Sequence, residues 1–215
     1  MVLSQLLTND IIDSRILQAM KDIPREPFVP ESLRGVAYVD EDLEIAPGRY
    51  LLAPLTFAML LDLTKITPSS RVLVVGCLTG YPAAIVSRLA GQVVAIDTDE
   101  ATILQARDHV KRLGISHAHP HKVASLAEGY AQSAPYDAIV VCGAIEFIPE
   151  VLGAQLAEGG RLVTIRNVAT RPDSQGGLGK GLLVEKFGRR LQYREHFDAS
   201  SAVLPGFERR TAFVF

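Results

Sequence analysis

Short apolar runs alternate with amphipathic stretches through the middle of the chain. We predict strands at four mostly apolar runs, residues 71–75, 92–97, 136–142 and 161–165, and a weaker strand at residues 118–123. Between these runs apolar residues recur at helical spacing, which predicts helices at residues 82–90, 99–113 and 149–157. Apolar strands that alternate with helices are typical of a parallel sheet covered on both faces. The pattern therefore predicts an α/β fold with a doubly wound, mostly parallel Rossmann-like sheet.

The N-terminal part has a different pattern. Apolar positions at helical spacing predict a helix over residues 8–22, and a second helix is predicted from Pro54 to Thr64 because proline suits the first helical position. Three prolines within residues 24–30 exclude a helix there, and residues 31–53 are interpreted as irregular. We expect this part to form a helical lid that wraps over the sheet.

The C-terminal part changes pattern again after Arg171. Residues 173–177 predict a loop, residues 182–186 and 191–197 predict an antiparallel hairpin, and residues 211–215 predict a final strand. The whole chain is predicted to be a single domain with three parts: the lid (residues 1–66), a cofactor-binding α/β core (67–170) and a C-terminal β addition (171–215).

Composition narrows the class of protein. The chain has 215 residues, of which 48% are hydrophobic and 21% charged, and this excludes a disordered chain, a collagen and a disulfide-stapled miniprotein. A net charge of -2 gives no electrostatic signature of nucleic acid or membrane binding. We find no signal peptide and no apolar run of about 18 residues, so we expect a cytoplasmic location. Cys77 and Cys142 are expected to be free, buried thiols.

The loop after the first predicted core strand carries candidate chemistry. Gly76 and Gly80 bracket it, and glycine allows a sharp turn and close approach to a ligand. Asp97 ends the next strand, where a carboxylate can accept hydrogen bonds from ribose hydroxyls. Together they predict a nucleoside site. The alternative is structural: such folds need glycine in this turn, and Asp97 can cap the following helix. A pyrophosphate site is less favoured because G-x-G-x-x-G is absent.

Several motifs occur in an order that resembles the protein-L-isoaspartate O-methyltransferase family. Ile23–Pro30 looks like that family's VPRE.FVP segment, and Val72–Ala84 is similar to its VLEIGTGSGYxAA motif. Further similarity lies in residues 37–40, 135–141 and 148–160, so the resemblance covers nearly the whole chain. It implies a class I methyltransferase fold that binds S-adenosylmethionine and methylates the free carboxylate of isoaspartyl residues in damaged proteins.

The resemblance also implies roles for individual residues. Cofactor contacts are expected from five positions: Gly76, Thr79, Gly80, Asp97 and Ser125. Tyr38 and Asp40 either line the substrate side of the lid or pack in a turn. A substrate carboxylate is already ionised at pH 7, so such a reaction depends on alignment and on exclusion of water more than on a strong base.

The sequence departs from the family pattern at four positions. Leu52 stands at the position of the family's reactive serine and has no donor for a carboxylate. Val74 replaces an acidic residue, Leu78 replaces a glycine, and Ser125 replaces an aspartate near adenine. Each lost charged hydrogen bond costs on the order of 1.5–3 kcal/mol. We therefore expect cofactor affinity to fall ~100-fold or more, with methyl transfer weak or absent.

Three functional hypotheses stay open at this point. The chain is an active methyltransferase on damaged proteins, a non-catalytic binding or assembly protein that acts through a homodimer interface, or another nucleoside-dependent enzyme. His117, His119 and His121 alternate along a predicted strand, a spacing that can hold a metal. A solvated connection is the favoured interpretation because Pro120 interrupts the strand, and no metal is expected.

Overall fold

A seven-stranded sheet forms the centre of the molecule. The computed structural model describes residue 1 and residues 5–6, 13–167 and 179–209. Its strands in chain order are β1 (Leu43–Ala46), β2 (Arg49–Leu51), β3 (Arg71–Val75), β4 (Gln92–Asp97), β5 (Ala118–Lys122), β6 (Tyr136–Ile145), β7 (Leu156–Asn167), β8 (Gly179–Phe187) and β9 (Arg190–Ala199). The α-helices are α1 (Ser14–Asp22), α2 (Pro54–Thr64), α3 (Tyr81–Ser87), α4 (Glu100–Arg112) and α5 (Glu150–Ala154).

The strand order is β5-β4-β3-β6-β7-β8-β9, and β1 pairs only with β2. The first five strands in this order, from β5 through β3 to β7, run parallel to one another. Strands β8 and β9 add an antiparallel hairpin at one edge of the sheet. The chain first builds outward from β3 to β5 and then returns to place β6 on the other side of β3. Ligands of doubly wound sheets bind at this switch point, beyond the carboxyl ends of the strands. We call this place between β3 and β6 the switch-point crevice.

The apolar strands are buried on both faces. Val72 and Val74 of β3 belong to one hydrophobic cluster, which also includes residues of α1, α2 and α3. Leu73 and Val75 belong to a second cluster, which includes Leu152 of α5. Both faces exclude water, which explains why these runs are continuously apolar instead of alternating. The predicted doubly wound, mostly parallel α/β fold is confirmed.

The N-terminal segment is fastened by Arg25, which is completely buried. Its Nε donates to the Ala37 carbonyl at 2.7 Å, and its Nη2 donates to the Leu52 carbonyl at 3.0 Å. The guanidinium also lies 4.9 Å from the centre of the Tyr81 ring, in a cation–π contact with α3. One side chain therefore joins three separate pieces of chain. The segment rich in proline packs on the core through Phe28 and Val29, but Glu26–Phe28 form one turn of 3-10 helix, so the prediction that the segment contains no helix is wrong there.

Several predicted elements are confirmed, with small shifts of their ends. Strand β4 and helix α2 have the predicted bounds, and the C-terminal hairpin is present but longer than predicted. Predicted residues 8–12 of the first helix, the loop 173–177 and the strand 211–215 lie outside the described residues.

Two further predictions are wrong. Residues 31–53 are not wholly irregular, because β1 and β2 form a hairpin whose turn places Gly48 at a φ of 68°. The predicted helix 149–157 ends at Ala154, and β7 begins at Leu156, well before the predicted start at Arg161. The strand continues through a bulge, and a Cβ on Gly160 would lie 2.8 Å from the Ala157 carbonyl oxygen. Gly159, which has a φ of 70°, and Gly160 thus allow a bulged strand.

Candidate functional site

The carboxylate of Asp97 is fully engaged by the protein itself. Its Oδ1 accepts from Arg49 Nη1 at 2.7 Å and from the Thr98 amide at 2.8 Å. Its Oδ2 accepts from Arg49 Nη2 at 2.8 Å and from the Leu78 amide at 2.9 Å. A carboxylate has about four acceptor positions, so these donors leave none for a ribose hydroxyl. The helix-capping alternative for Asp97 is wrong, because Asp99 is the N-cap of α4.

Arg49 reaches the crevice because the β1–β2 hairpin holds it there. It is the first residue of β2, and its side chain is 10% exposed, while that of Asp97 is 1% exposed. The pair is bidentate, the strongest arrangement of an arginine and a carboxylate. A buried pair of this kind resists disruption, since removing one partner leaves the other charge uncompensated. Arg49 therefore occupies the acceptor that a nucleoside would need.

The loop between β3 and α3 is shaped by two left-handed positions at its start and middle. Gly76 has a φ of 77°, and Leu78 has a φ of 50°, which is unusual for a branched side chain. The Leu78 side chain is 3% exposed and packs in the core, while its amide points at Asp97. The backbone of Leu78 therefore contacts the acidic residue, while its side chain belongs to the first hydrophobic cluster.

Gly80 and Thr79 have structural partners. A Cβ on Gly80 would lie 3.0 Å from Ala106 Cα, so glycine here permits close packing of α3 on α4. The Thr79 hydroxyl donates to the Phe28 carbonyl at 2.5 Å, and the Thr79 carbonyl contacts His109 Nδ1 at 2.8 Å. Their role as cofactor contacts stays a prediction.

The C-terminal part of the chain reaches the same crevice. We call residues 201–207 the closing segment. A Cβ on Gly76 would lie 3.3 Å from Leu204 Cδ1 and 3.5 Å from Arg49 Nη2. A Cβ on Gly143, in β6, would lie 2.6 Å from Leu204 Cγ. Leu204 therefore lies between the carboxyl ends of β3 and β6, where a doubly wound fold binds its ligand.

The other replaced positions are buried or covered. Leu52 is 2% exposed and packs in the core, with its carbonyl accepting from Arg25. Val74 is completely buried within β3. Ser125 is half-buried, and a Cβ on Gly206 of the closing segment would lie 3.7 Å from its Oγ. None of these side chains supplies a charged group to the crevice.

Tyr38 and Asp40 form bonds that hold the N-terminal segment. The Tyr38 hydroxyl donates to Glu26 in a short hydrogen bond and accepts from the Arg25 amide at 3.2 Å. Asp40 accepts from the Leu55 amide at 3.0 Å, in the first turn of α2. These bonds favour the turn-packing interpretation of both residues, and a substrate role for them stays a prediction.

The two cysteines are free and buried, as predicted. Burial raises the pKa of the Cys77 thiol, and the nearby Asp97 carboxylate raises it further. Burial is also the main cause of the raised pKa of Cys142. Both thiols are therefore protonated at neutral pH, and neither is an activated nucleophile.

The three histidines near β5 have separate surroundings. His117 Nε2 lies 2.9 Å from the Ser87 carbonyl, His119 is exposed, and His121 stacks on Tyr130 with ring centres 4.7 Å apart. Within the described residues, no group of three or more histidine, cysteine, aspartate or glutamate side chains is positioned to hold a metal ion. No helix in the described ranges combines the length and apolar character needed to cross a bilayer.

The doubly wound sheet, with a crevice between β3 and β6 and an acidic residue at the end of β4, is the fold of class I methyltransferases. The sequence model of the family described as protein-L-isoaspartate(D-aspartate) O-methyltransferase (PCMT) matches residues 1–171. The chain therefore belongs to the PCMT family.

Relatives and solved structures are similar over most of the chain. A protein-L-isoaspartate O-methyltransferase of Picosynechococcus sp. is 37% identical over 163 residues, which are 76% of this chain and 73% of the relative. One of Methylorubrum extorquens is 39% identical over 163 residues, 76% of this chain and 71% of that protein. A solved structure named protein-L-isoaspartate O-methyltransferase has a TM-score of 0.79 at 25% identity, covering 96% of this chain and 66% of that longer chain.

A Plasmodium falciparum PCMT structure in complex with S-adenosyl-L-homocysteine shares the fold. Its TM-score is 0.72 at 20% identity, over 94% of this chain and 96% of that one. The family thus implies S-adenosylmethionine as cofactor. The residues of this chain do not fit it in the described conformation: Asp97 is saturated by Arg49, and Leu204 lies between Gly76 and Gly143.

Sequence reasoning missed Arg49 and Leu204. Arg49 follows Pro47-Gly48, a dipeptide that is typical of a turn, but nothing in this local pattern shows that the Arg49 side chain reaches Asp97. Leu204 precedes Pro205 and Gly206, in a stretch with no periodicity that would predict a buried position. Both residues are more than 45 positions from Asp97, and only the folded chain brings them to the crevice.

Proposed function

We propose that this chain is a protein-L-isoaspartate O-methyltransferase family member in which methyl transfer from S-adenosylmethionine to isoaspartyl carboxylates is weak or lost. One observation carries the proposal: the Asp97 carboxylate accepts hydrogen bonds from the Arg49 guanidinium and two backbone amides, with none of its capacity free. A cofactor that relies on this residue for its ribose must break a buried bidentate pair before it binds.

Three replaced positions support the proposal. Leu52 has no donor for the substrate carboxylate, and Val74 has no charge for the methionine end of the cofactor. Ser125 hydrogen-bonds less strongly than the carboxylate that the resemblance places there. The scaffold is retained while the chemistry of the crevice is replaced, which is the pattern of a fold kept for something other than catalysis.

A second candidate is a non-catalytic binding or assembly protein. The observation that favours it is the coexistence of an intact, well-packed fold with a crevice that holds the protein's own side chains. Under this candidate we propose a cytoplasmic homodimer with no nucleic-acid partner, whereas the first candidate has damaged protein or peptide as its partner. Sedimentation of the purified chain distinguishes a dimer from a monomer.

The test is calorimetry with S-adenosylmethionine and S-adenosyl-L-homocysteine, followed by transfer of labelled methyl to an isoaspartyl peptide. We expect no heat of binding at micromolar cofactor and no transfer above an aspartyl-peptide control. An active family member assayed in parallel shows that the substrate is competent. Methyl incorporation at a rate near that of the active enzyme overturns the proposal.

A further inference from the structure

The closing segment makes main-chain hydrogen bonds along the carboxyl end of β6. The Ala144 amide donates to the Ala202 carbonyl at 3.0 Å, and the Leu204 amide donates to the Ala144 carbonyl at 2.9 Å. The Glu146 amide donates to the Phe207 carbonyl at 3.1 Å. The segment thus runs parallel to β6 at this end, and it uses backbone groups that would otherwise face the crevice.

Two side chains of the segment are buried, and one of them, Leu204, lies in the crevice. Leu204 is 4% exposed, and Phe207 is completely buried in the second hydrophobic cluster with Leu126. Burial of these two apolar side chains stabilises the closing segment in its place. The glycines fit this arrangement, because a side chain at Gly143 would collide with Leu204 at 2.6 Å.

Both ends of the segment are tied to other parts of the fold. The Ser201 hydroxyl donates to Asp42 Oδ2 at 2.5 Å, and the Ser201 carbonyl accepts from Asn167 Nδ2 at 3.1 Å. Beyond the segment, Arg209 Nε donates to the Glu146 carbonyl at 3.1 Å. Hydrogen bonds therefore hold the closing segment at its start, along β6 and just beyond its last residue.

From these contacts we propose that the closing segment and Arg49 form an internal occupant of the switch-point crevice that competes with a nucleoside for it. Arg49 takes the acidic acceptor at the end of β4, and Leu204 takes the apolar space beyond β3 and β6, while the buried Phe207 anchors the segment that carries Leu204. Because the occupant is part of the same chain, its effective concentration at the crevice is high, and a free nucleoside must displace it. The inference rests on the proposed function because both concern this crevice.

The test is a set of variants with two readouts. Leu204→Asp weakens the apolar half of the occupant, and Arg49→Met releases the Asp97 carboxylate while retaining an apolar side chain of similar length. Ala202→Ser is the matched control, since Ala202 is exposed in the same segment. The readouts are hydrogen exchange at the Ala144 and Glu146 amides, and the shift of Tm on addition of S-adenosyl-L-homocysteine.

We expect Leu204→Asp to raise exchange at Ala144 and Glu146 at least about tenfold, while the Leu73 amide in β3 keeps its protection. In the double variant Arg49→Met/Leu204→Asp, S-adenosyl-L-homocysteine at about ten times its Kd should raise Tm by roughly 3 °C. The wild type and Ala202→Ser should show no shift at the same concentration.

Unchanged exchange at Ala144 and Glu146 in Leu204→Asp overturns the inference. So does a folded double variant that exchanges rapidly there and gives no Tm shift. If the double variant does not fold, Gly143→Ala gives the same exchange test, because the added methyl group displaces Leu204 without changing the segment itself. Methyl transfer by the wild type at a rate near that of an active family member overturns the proposed function, whereas a double variant that shows no Tm shift overturns only this inference.

Discussion

Two regions of the molecule are each held by a buried arginine, and the two arginines have opposite consequences. Arg25 has no acidic partner within bonding distance among the described residues; it donates to two carbonyls and covers an aromatic ring. Arg49 forms a bidentate pair with Asp97. The first belongs to a motif shared with the family and builds the N-terminal segment. The second neutralises the acidic residue at the crevice.

The difference shows that a family scaffold and a family site are separable. The bonds of Arg25 go to main-chain groups, which any sequence supplies, so they do not depend on the side chains of Ala37 and Leu52. The crevice depends on particular side chains, so replacing a few of them changes what it binds. Stability measurements on each region test whether the two arginines really differ in this way.

The largest expected effect is at the crevice. Arg49→Ala should lower the free energy of unfolding by about 3–5 kcal/mol, because it leaves the buried Asp97 carboxylate without its counter-charge. Urea unfolding at pH 7 measures it. The matched control is Arg112→Ala, which breaks an exposed pair with Asp108 and should change stability by less than about 0.5 kcal/mol. Equal effects of the two substitutions would contradict a buried, bidentate pair.

The next effect is at the N-terminal segment. Arg25→Met should destabilise the fold by about 3 kcal/mol, because it leaves the Ala37 and Leu52 carbonyls without donors while nearly preserving side-chain volume. The same urea series measures it. Arg25→Lys restores the charge but not the two-pronged geometry, so it should recover only part of the loss. Full recovery in Arg25→Lys would mean that charge alone matters at this site.

A third comparison uses two residues with a left-handed backbone, one at the crevice and one at the end of α2. Leu78→Gly should destabilise by about 2 kcal/mol, since the loss of a buried leucine exceeds the relief of its φ of 50°. Lys65, at the end of α2, has a φ of 52° and an exposed side chain. Lys65→Gly should therefore stabilise by about 0.5 kcal/mol. Thermal unfolding of both variants measures the two stability changes. If Leu78→Gly raises Tm, the buried Leu78 side chain contributes less to stability than its left-handed backbone costs.

The smallest effect concerns pH and Asp42, which joins the two regions through Ala53 and Ser201. Burial raises the pKa of the Asp42 carboxyl above its ordinary 3.8. The folded state therefore binds this proton more tightly, and the resulting stabilisation is present below pH 3.8 and is lost as pH rises through the folded pKa. Relative to Asp42→Asn, the wild type should lose stability across that interval in urea unfolding. A relative gain would show that the bonds to Ala53 and Ser201 outweigh burial.

Much of the fold was predictable because its signals are local. The apolar runs of β3, β4 and β6 and the proline that begins α2 each specify their own element within a few residues. The hairpin of β1 and β2 was missed because its strands have only four and three residues, too few to carry a periodic pattern that predicts a strand. The early start of β7 was missed because Gly159 and Gly160 permit either a helix end or a bulge, and only pairing with β6 selects the bulge.

The sequence by itself determined the doubly wound α/β fold, the family and the position of the acidic residue at the end of β4. Each of these depends on patterns between residues close together in the chain or on the order of short motifs. The tertiary structure alone decided what that acidic residue binds. Arg49 and Leu204 are distant from Asp97 in sequence, and neither has a local pattern that marks it as part of a site. Their effect on the crevice arises only when folding brings three separate segments within hydrogen-bond and van der Waals distance.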